Sequence, residues 1–193
     1  MQSNNIKYIV GLVGKKRTGK DLFYLSCLEL YLEKRIGLPP KRFAFADSLK
    51  QEVAKTAGIS MEELNARKTE FRGILQDVGN ERRKHDEDYW IGRVAFKMIN
   101  FDREMFGQLH IPHIAIITDV RFLNEAVWIQ SLGGKLVRVL RSDLEEDTED
   151  KHISETELTK IHCDISVTNE GLKRARLYKM QVLDTIKQLG YDN

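Results

Sequence analysis

The chain has 193 residues, of which 41% are hydrophobic and 31% charged, and its formal net charge is only +2. This composition is typical of one globular domain, and no apolar stretch approaches the ~20 residues that a transmembrane helix needs, so a membrane-spanning protein is excluded. The small net charge argues against binding to nucleic acid or membranes by bulk electrostatics, and two widely separated cysteines without a signal-peptide pattern predict a reducing, cytoplasmic location.

Strand and helix patterns alternate along the chain, as in an α/β protein with a parallel sheet. Runs of β-branched residues predict five strands, at residues 6–13, 42–46, 113–118, 135–140 and 164–167. Helical periodicity with clear stop signals predicts helices over 20–35 and 171–189. The interval 48–105 lacks a strand pattern, which predicts several helices inserted between the second and third strands, as a candidate substrate-side module.

The sharpest motif follows the first strand and has the G-x-x-x-x-G-K spacing of a P-loop, from Gly14 to Lys20. A strand before the motif and a helix after it would let backbone N–H groups and the positive helix end converge on an anion. The two glycines permit the tight turn, and Lys20 would reach the β- and γ-phosphates. Three further residues add donors on the same loop: Lys16, Arg17 and Thr18.

One position departs from the usual P-loop pattern, because Asp21 stands where Ser or Thr is common. A carboxylate can still serve Mg²⁺ directly or through a water, since Mg²⁺ prefers oxygen ligands and keeps much of its hydration shell. Direct contact between Asp21 and the ion is therefore left open.

The helical region carries an unusual density of polar side chains between residues 67 and 90. At helical spacing Arg72, Gln76 and Gly79 fall near one face, which could clamp a substrate phosphate and base. A solvated helix face with ion pairs is the alternative interpretation. Asp47 and Lys50, just after the second strand, are also ambiguous, since Asp47 is a plausible helix N-cap.

The third predicted strand ends in a carboxylate, as the second element of a P-loop site would. Residues 114–117 are apolar, and Thr118 and Asp119 follow them. If this strand lies beside the first, Asp119 faces the metal and the phosphates. Arg121 comes two residues later and could bind phosphate, or could form a surface ion pair with Glu125 at i,i+4.

The composition changes between residues 141 and 157, where acidic residues dominate and apolar ones nearly disappear. A solvated loop is the simpler interpretation. A mobile lid over an active site is the functional one, because lids are drawn from weakly packed polar segments.

The ordered set of motifs resembles the phage deoxynucleoside monophosphate kinases over nearly the whole chain. The motifs are G-K-K-R-T-G-K-D at 14–21, F-A-D-S-L-K at 45–50, R-G-I-L-Q-D-V-G at 72–79, D-E-D-Y-W at 86–90, T-D-V-R-F-L-N-E at 118–125, L-G-G-K-L-V-R-V-L-R at 132–141, H-I-S-E at 152–155 and D-I-S-V-T-N-E-G at 164–171. An Asp after the P-loop lysine is also a feature of that family, so the departure at Asp21 supports the resemblance.

The resemblance implies the fold of a P-loop kinase: a three-layer α/β domain with a five-stranded parallel sheet, a helical acceptor-binding insertion and a lid. It implies one domain over residues 1–193, with its core at 1–47, 107–141 and 160–193. The acceptor-binding region would be 48–106 and the lid 142–155.

The resemblance also implies a role for individual residues. ATP would be bound by Gly14, Lys15, Lys16, Thr18, Gly19, Lys20, Asp21 and, near the base, Asn169. The acceptor nucleotide would be bound by Asp47, Lys50, Arg72, Gln76, Asp88, Trp90, Arg121, His152 and Glu155. Catalysis would rest on Lys20, Arg17, Asp119, Arg121 and Arg141, with Arg138 as a further candidate cation, and Mg²⁺ on Asp21 and Asp119.

The implied reaction is transfer of the γ-phosphoryl group of ATP to a deoxynucleoside monophosphate. No strong general base is needed, because the acceptor phosphate oxygen is already anionic at neutral pH. Two alternatives stay open: a P-loop kinase of another phosphorylated metabolite such as phosphomevalonate, and a non-catalytic nucleotide-binding regulator. Small-molecule nucleotides are the expected partners, with no nucleic acid and no membrane, and the resemblance suggests a homodimer.

Overall fold

The computed structural model describes residues 6–34, 39–106, 113–142, 157–171 and 175–191. The strands are β1 (Ile6–Val13), β2 (Pro40–Phe43), β3 (His113–Val120), β4 (Lys135–Arg141) and β5 (Ile165–Asn169). The helices are α1 (Lys20–Lys34), α2 (Phe45–Ala57), α3 (Met61–Ala66), α4 (Arg72–His85), α5 (Tyr89–Phe106), α6 (Leu123–Ser131) and α7 (Ala175–Gln188).

The five strands form one sheet in the order β2-β3-β1-β4-β5, and every neighbouring pair is parallel. This confirms the predicted α/β class and the five-stranded parallel sheet. Since β1 lies centrally between β3 and β4, the loop that leaves its carboxyl end is flanked by the ends of both neighbours. Ligands bind at such crevices in open α/β sheets.

Helices cover both faces of the sheet, which explains why the strands are apolar on both sides. One core joins α1 and α7 to the sheet through residues such as Phe23 and Val182. The other joins α5 and α6 to the opposite face, with Val94 and Ile129 fully buried. The three layers predicted from the sequence are thus present.

The helices between β2 and β3 have a small core of their own, formed by Val53, Ala54 and Leu64. A clamp around Glu52 supports it, because Tyr89 donates its hydroxyl to that carboxylate at 2.8 Å and Arg82 donates to it at 2.7 Å. The clamp joins α2, α4 and α5, so the helical insertion is one packed unit attached to the sheet.

The second strand differs from its prediction, since β2 ends at Phe43 and α2 already begins at Phe45. The N-cap position is Ala44, so the interpretation of Asp47 as the N-cap is wrong, and Asp47 lies in the first turn. The other four strands match the prediction within two residues at each end. None of the described helices is long and apolar enough to cross a membrane.

Candidate active site

The P-loop of the structure connects β1 to α1 and depends on two glycines. A Cβ at Gly14 would lie 2.4 Å from the carbonyl oxygen of Val139. Gly19 has φ +103°, and a Cβ there would lie 2.3 Å from Nδ2 of Asn169. A side chain at either position would force the loop away from the strands beside it, so both glycines are sterically required.

The P-loop lysine is folded over its own loop. The ammonium of Lys20 donates to the carbonyl oxygens of Gly14 and Lys15, each at 2.7 Å, and the residue is only 8% exposed. The hydroxyl of Thr18 also donates to Lys15, at 3.0 Å. These bonds fix the loop as a compact, positively charged turn at the amino end of α1, as phosphate binding requires.

Three side chains from other elements support the loop from behind. Asn169 is buried and donates from Nδ2 to the carbonyl of Thr18 at 3.0 Å. Tyr178 donates its hydroxyl to the carbonyl of Gly19 at 3.1 Å, and Arg141 donates to the carbonyl of Arg17 at 3.2 Å. Asn169 is therefore placed under the P-loop, where the sequence interpretation had it near a nucleotide base.

Asp119 lies at the end of β3 and holds the start of α2. Its two oxygens accept the backbone N–H groups of Phe45, at 2.9 Å, and Ala46, at 2.8 Å. Burial raises the pKa of this carboxyl group, and the two amides oppose that rise. Asp119 borders the cleft as predicted, and it also caps a helix, which the sequence interpretation had not foreseen.

A bridge of opposite charges joins the P-loop helix to α2. Arg42 on β2 lies 2.5 Å from a carboxylate oxygen of Asp47 and 3.4 Å from one of Asp21. Sequence reasoning missed Arg42, because its proximity to Asp21, 21 residues earlier along the chain, appears only in the structure. The bridge places the predicted metal and acceptor residues Asp21 and Asp47 within reach of one cation.

One open cleft of about 900 Å³ runs from the P-loop to α4. This volume is within the range of small-molecule sites. The predicted residues along it are Lys16, Arg17, Lys20, Asp21, Asp47, Lys50, Arg72, Gln76, Trp90, Asp119 and Arg121. The structure therefore brings the P-loop, the end of β3 and the polar face of α4 to the same cavity.

The α4 side of the cleft matches the predicted helix face. Arg72, Gln76 and Gly79 all line the cavity. Lys50 lines it from α2 and donates to Asn65 at 2.9 Å. Burial, and next the neighbouring Lys68, lower the pKa of Lys50. Lys50, Lys68 and Arg72 all line this end of the cleft, so positive charge is concentrated there.

Two predicted acceptor residues differ in their relation to the cleft. Trp90 lines the cavity but is only 2% exposed, and its indole N–H donates to the carbonyl of Gly79 at 3.2 Å, so most of its ring packs in the core. Asp88 is exposed, accepts a hydrogen bond from Asn124 at 3.0 Å, and is not among the described residues that line the cavity. Helical spacing could not distinguish Asp88 from the cleft positions.

A buried carboxylate fixes the turn that carries Arg121. Glu125 is 2% exposed and accepts the backbone N–H groups of Arg121, at 2.9 Å, and Phe122, at 3.1 Å. Its other oxygen lies 3.5 Å from Arg83 of α4, whose guanidinium is 4.0 Å from the centre of the Phe122 ring. Burial raises the pKa of Glu125 to about 7, although the hydrogen bond from the Arg121 amide and the charge of Arg83 both act to lower it. Glu125 thus joins the Arg121 turn to α4 through a buried carboxylate.

The remaining predicted residues fall outside the cleft or outside the described chain. Arg138 donates to the carbonyl oxygens of Leu158 and Ile161, so its guanidinium holds the segment that contains them. Arg138 is not among the described residues that line the cleft. His152 and Glu155 lie outside the described residues, as does nearly all of the predicted lid.

Comparison with known proteins points in one direction. A family model described as "Deoxynucleotide monophosphate kinase" matches residues 52–179, more than half of the chain. A protein of Acanthamoeba polyphaga mimivirus, provisionally named a deoxynucleotide monophosphate kinase, is 28% identical over an alignment of 190 residues. The match covers 83% of this chain and 88% of that protein.

Solved structures with an overall likeness include shikimate kinase from Aquifex aeolicus, at 15% identity and a TM-score of 0.41, covering 96% of this chain and 99% of that one. APS kinase from Mycobacterium tuberculosis has 14% identity and a TM-score of 0.43, covering 93% and 96% of the two chains.

Proposed function

Because the chain belongs to the deoxynucleotide monophosphate kinase family, we propose that the cleft between the P-loop and α4 is where it phosphorylates a deoxynucleoside monophosphate. The donor we propose is ATP, which gives ADP and a deoxynucleoside diphosphate as products. A viral relative with the same description supports this reaction.

One observation carries the proposal: a single cavity joins a phosphate-binding loop to a cationic helix face. The P-loop end offers Lys16 and Lys20, and the α4 end offers Arg72 with Gln76 beside it. Phosphoryl transfer between two nucleotides needs two anion sites within one cavity, so that donor and acceptor oxygens can lie in line. The distribution of positive charge along this cleft fits that requirement.

A magnesium ion suits the P-loop end of the cleft. The side chain of Asp21 is 76% exposed, borders the cavity and follows Lys20 directly, and carboxylate oxygens suit Mg²⁺. Among the described residues no group of three or more His, Cys, Asp or Glu side chains could hold a metal ion. Asp21 would hold the ion, with Asp119 of the same cavity as the second predicted ligand, and the ion would supply neutralisation of phosphate charge.

The protein's part in the transfer is to position and to neutralise charge. Lys20 would bind the β- and γ-phosphates once its bonds to the loop carbonyls are exchanged for phosphate oxygens. Arg121 and Arg17 border the cleft near that point and are the proposed transition-state cations. Arg141 donates a hydrogen bond to the backbone carbonyl of Arg17, so we assign Arg141 a positioning role.

Two substitutions test the assignment, with acceptor-dependent ADP release as the assay. Lys20→Met should abolish transfer, because it removes the positive charge that would bind the γ-phosphate. Arg72→Ala should raise KM for the deoxynucleotide about tenfold or more and leave KM for ATP nearly unchanged, because it removes a charge-assisted contact at the acceptor end only. Arg93→Ala removes an exposed arginine of α5 outside the cleft lining and is the matched control.

Full activity of Lys20→Met would refute the P-loop assignment, and equal KM effects of Arg72→Ala on both substrates would refute the acceptor end. The lid over residues 142–155, the homodimer and the cytoplasmic location stay predictions.

A further inference from the structure

A buried hydroxyl at the end of β3 has no role in the site described so far. Thr118 is 3% exposed, and its residue borders the cleft. Its Oγ1 has almost no solvent contact and finds no hydrogen-bond partner among the described residues. Buried polar groups in folded proteins are nearly always satisfied, so a hydroxyl of this kind calls for an explanation.

The strand at Thr118 is irregular, which sets this residue apart from a simple packing position. Gly11 of β1 pairs with Ile117, but Val13 pairs with Val120, so β3 carries one extra residue at 118–119. Such bulges occur beside active sites, where they change the direction of side chains. One residue of the bulge, Asp119, caps α2, which leaves Thr118 between the P-loop strand and the start of the acceptor-side helices.

The P-loop lacks a hydroxyl where one is usual, because Asp21 follows Lys20. Thr118 offers a hydroxyl from the neighbouring strand at the same edge of the sheet. A valine has nearly the same shape as threonine and would fill this position without burying a hydroxyl that has no hydrogen bond. A partner that arrives from the cleft could therefore satisfy a hydroxyl that packing alone does not require.

We propose that Thr118 binds the terminal phosphoryl group of the donor nucleotide, donating its hydroxyl hydrogen to a phosphoryl oxygen. The inference rests on the proposed function, since it assumes a nucleoside triphosphate on the P-loop. Thr118 already borders the cleft, so a phosphoryl group bound there would lie beside this residue. A hydrogen bond to an ionised oxygen is stronger than one between neutral groups, so nucleotide binding would give the Thr118 hydroxyl the partner that it lacks among the described residues.

The test uses the full chain with Thr118→Val, Thr118→Ser and the control Ser48→Ala. Ser48 is the right control because its buried hydroxyl also lacks a partner among the described residues, yet it does not line the cleft. The measurements are calorimetric Kd values for ATP and for ADP with Mg²⁺, and the urea midpoint of each protein without nucleotide.

Thr118→Val should weaken ATP binding roughly tenfold and leave ADP binding within about twofold, because only ATP carries the terminal group. Its urea midpoint without nucleotide should equal or exceed that of the wild type, since a lone hydroxyl has been replaced by a methyl group. Thr118→Ser should restore ATP binding, and Ser48→Ala should change neither Kd.

Equal ATP affinities for the wild type and Thr118→Val would overturn the proposal. Equal losses of ATP and ADP affinity would also overturn it, as would a lower urea midpoint with unchanged affinities, which would make the hydroxyl structural. Wild-type protein that binds neither nucleotide would refute the proposed function itself, and the role of Thr118 with it.

Discussion

Removing Arg83 should destabilise the protein in a way that depends on Glu125 and on pH. Arg83 belongs to α4 and Glu125 to α6, and their side chains meet at 3.5 Å with the carboxylate almost fully buried. The carboxylate also holds the amides of Arg121 and Phe122. Arg83→Met keeps most of the packing but leaves this buried carboxylate without its cation.

The magnitude follows from burial. Breaking a fully buried ion pair costs about 3–5 kcal/mol, but Arg83 is 22% exposed and the contact is loose, so we expect about 2 kcal/mol at pH 8. Glu125 can escape this cost by taking up a proton, since burial raises its pKa from 4.5 to about 7. The destabilisation should therefore be smaller at pH 6, where the carboxyl is largely neutral.

The wild type should show the same titration with a definite sign. The unfolded chain releases the Glu125 proton near pH 4.5 and the folded chain near 7, so the folded state binds more protons in between. Stability contributed by this group is present below pH 4.5 and is lost as pH rises to 7, by at most about 3 kcal/mol. Glu125→Gln should remove that slope.

The assay is urea unfolding of the wild type, Arg83→Met, Glu125→Gln and the double variant at pH 6 and pH 8. We expect the Arg83→Met effect to shrink by more than half in the Glu125→Gln background, because the charge it compensates is gone. Strictly additive effects at both pH values would refute the buried link. Both single variants should also raise KM for the deoxynucleotide, since they loosen the turn that carries Arg121.

Two further substitutions test the P-loop itself. Gly14→Ala should lower kcat/KM at least a hundredfold in a transfer assay, because its Cβ would lie 2.4 Å from the backbone oxygen of Val139 and displace the loop. The control is Gly73→Ala, whose Cβ would have no described atom within 4 Å, so it should retain activity and gain up to about 1 kcal/mol in urea unfolding. Asn169→Ala should raise KM for ATP severalfold and spare KM for the acceptor, because it frees the carbonyl of Thr18 under the loop; unchanged ATP kinetics would contradict that support role.

The fold was predictable because its signals are local. The P-loop spacing, the apolar strands and the long strand-free interval each lie within one stretch of sequence, and all three have the expected place in the structure. The boundary between β2 and α2 was missed because it depends on Asp119, which is 74 residues from Phe45 along the chain. No local pattern reports a helix capped from that distance.

The site was partly predictable for the same reason. Arg72, Gln76 and Trp90 all line the cleft, but Trp90 is almost fully buried, because spacing gives the face of a helix and not the depth at which a side chain packs. Arg83 and Tyr178 were overlooked because their roles exist only through contacts with distant residues. The role of Thr118 was not predictable, because burial of its hydroxyl without a partner among the described residues is a property of the folded chain.

The most direct test of the central claim is ADP formation from ATP and Mg²⁺ with dAMP, dGMP, dCMP and dTMP as acceptors, their ribose counterparts beside them, and phosphomevalonate as a chemically different acceptor. The account predicts ADP and a deoxynucleoside diphosphate in equal amounts with at least one deoxynucleotide, and no ADP with phosphomevalonate. Tight binding of ATP without transfer to any of the four deoxynucleotides would contradict it.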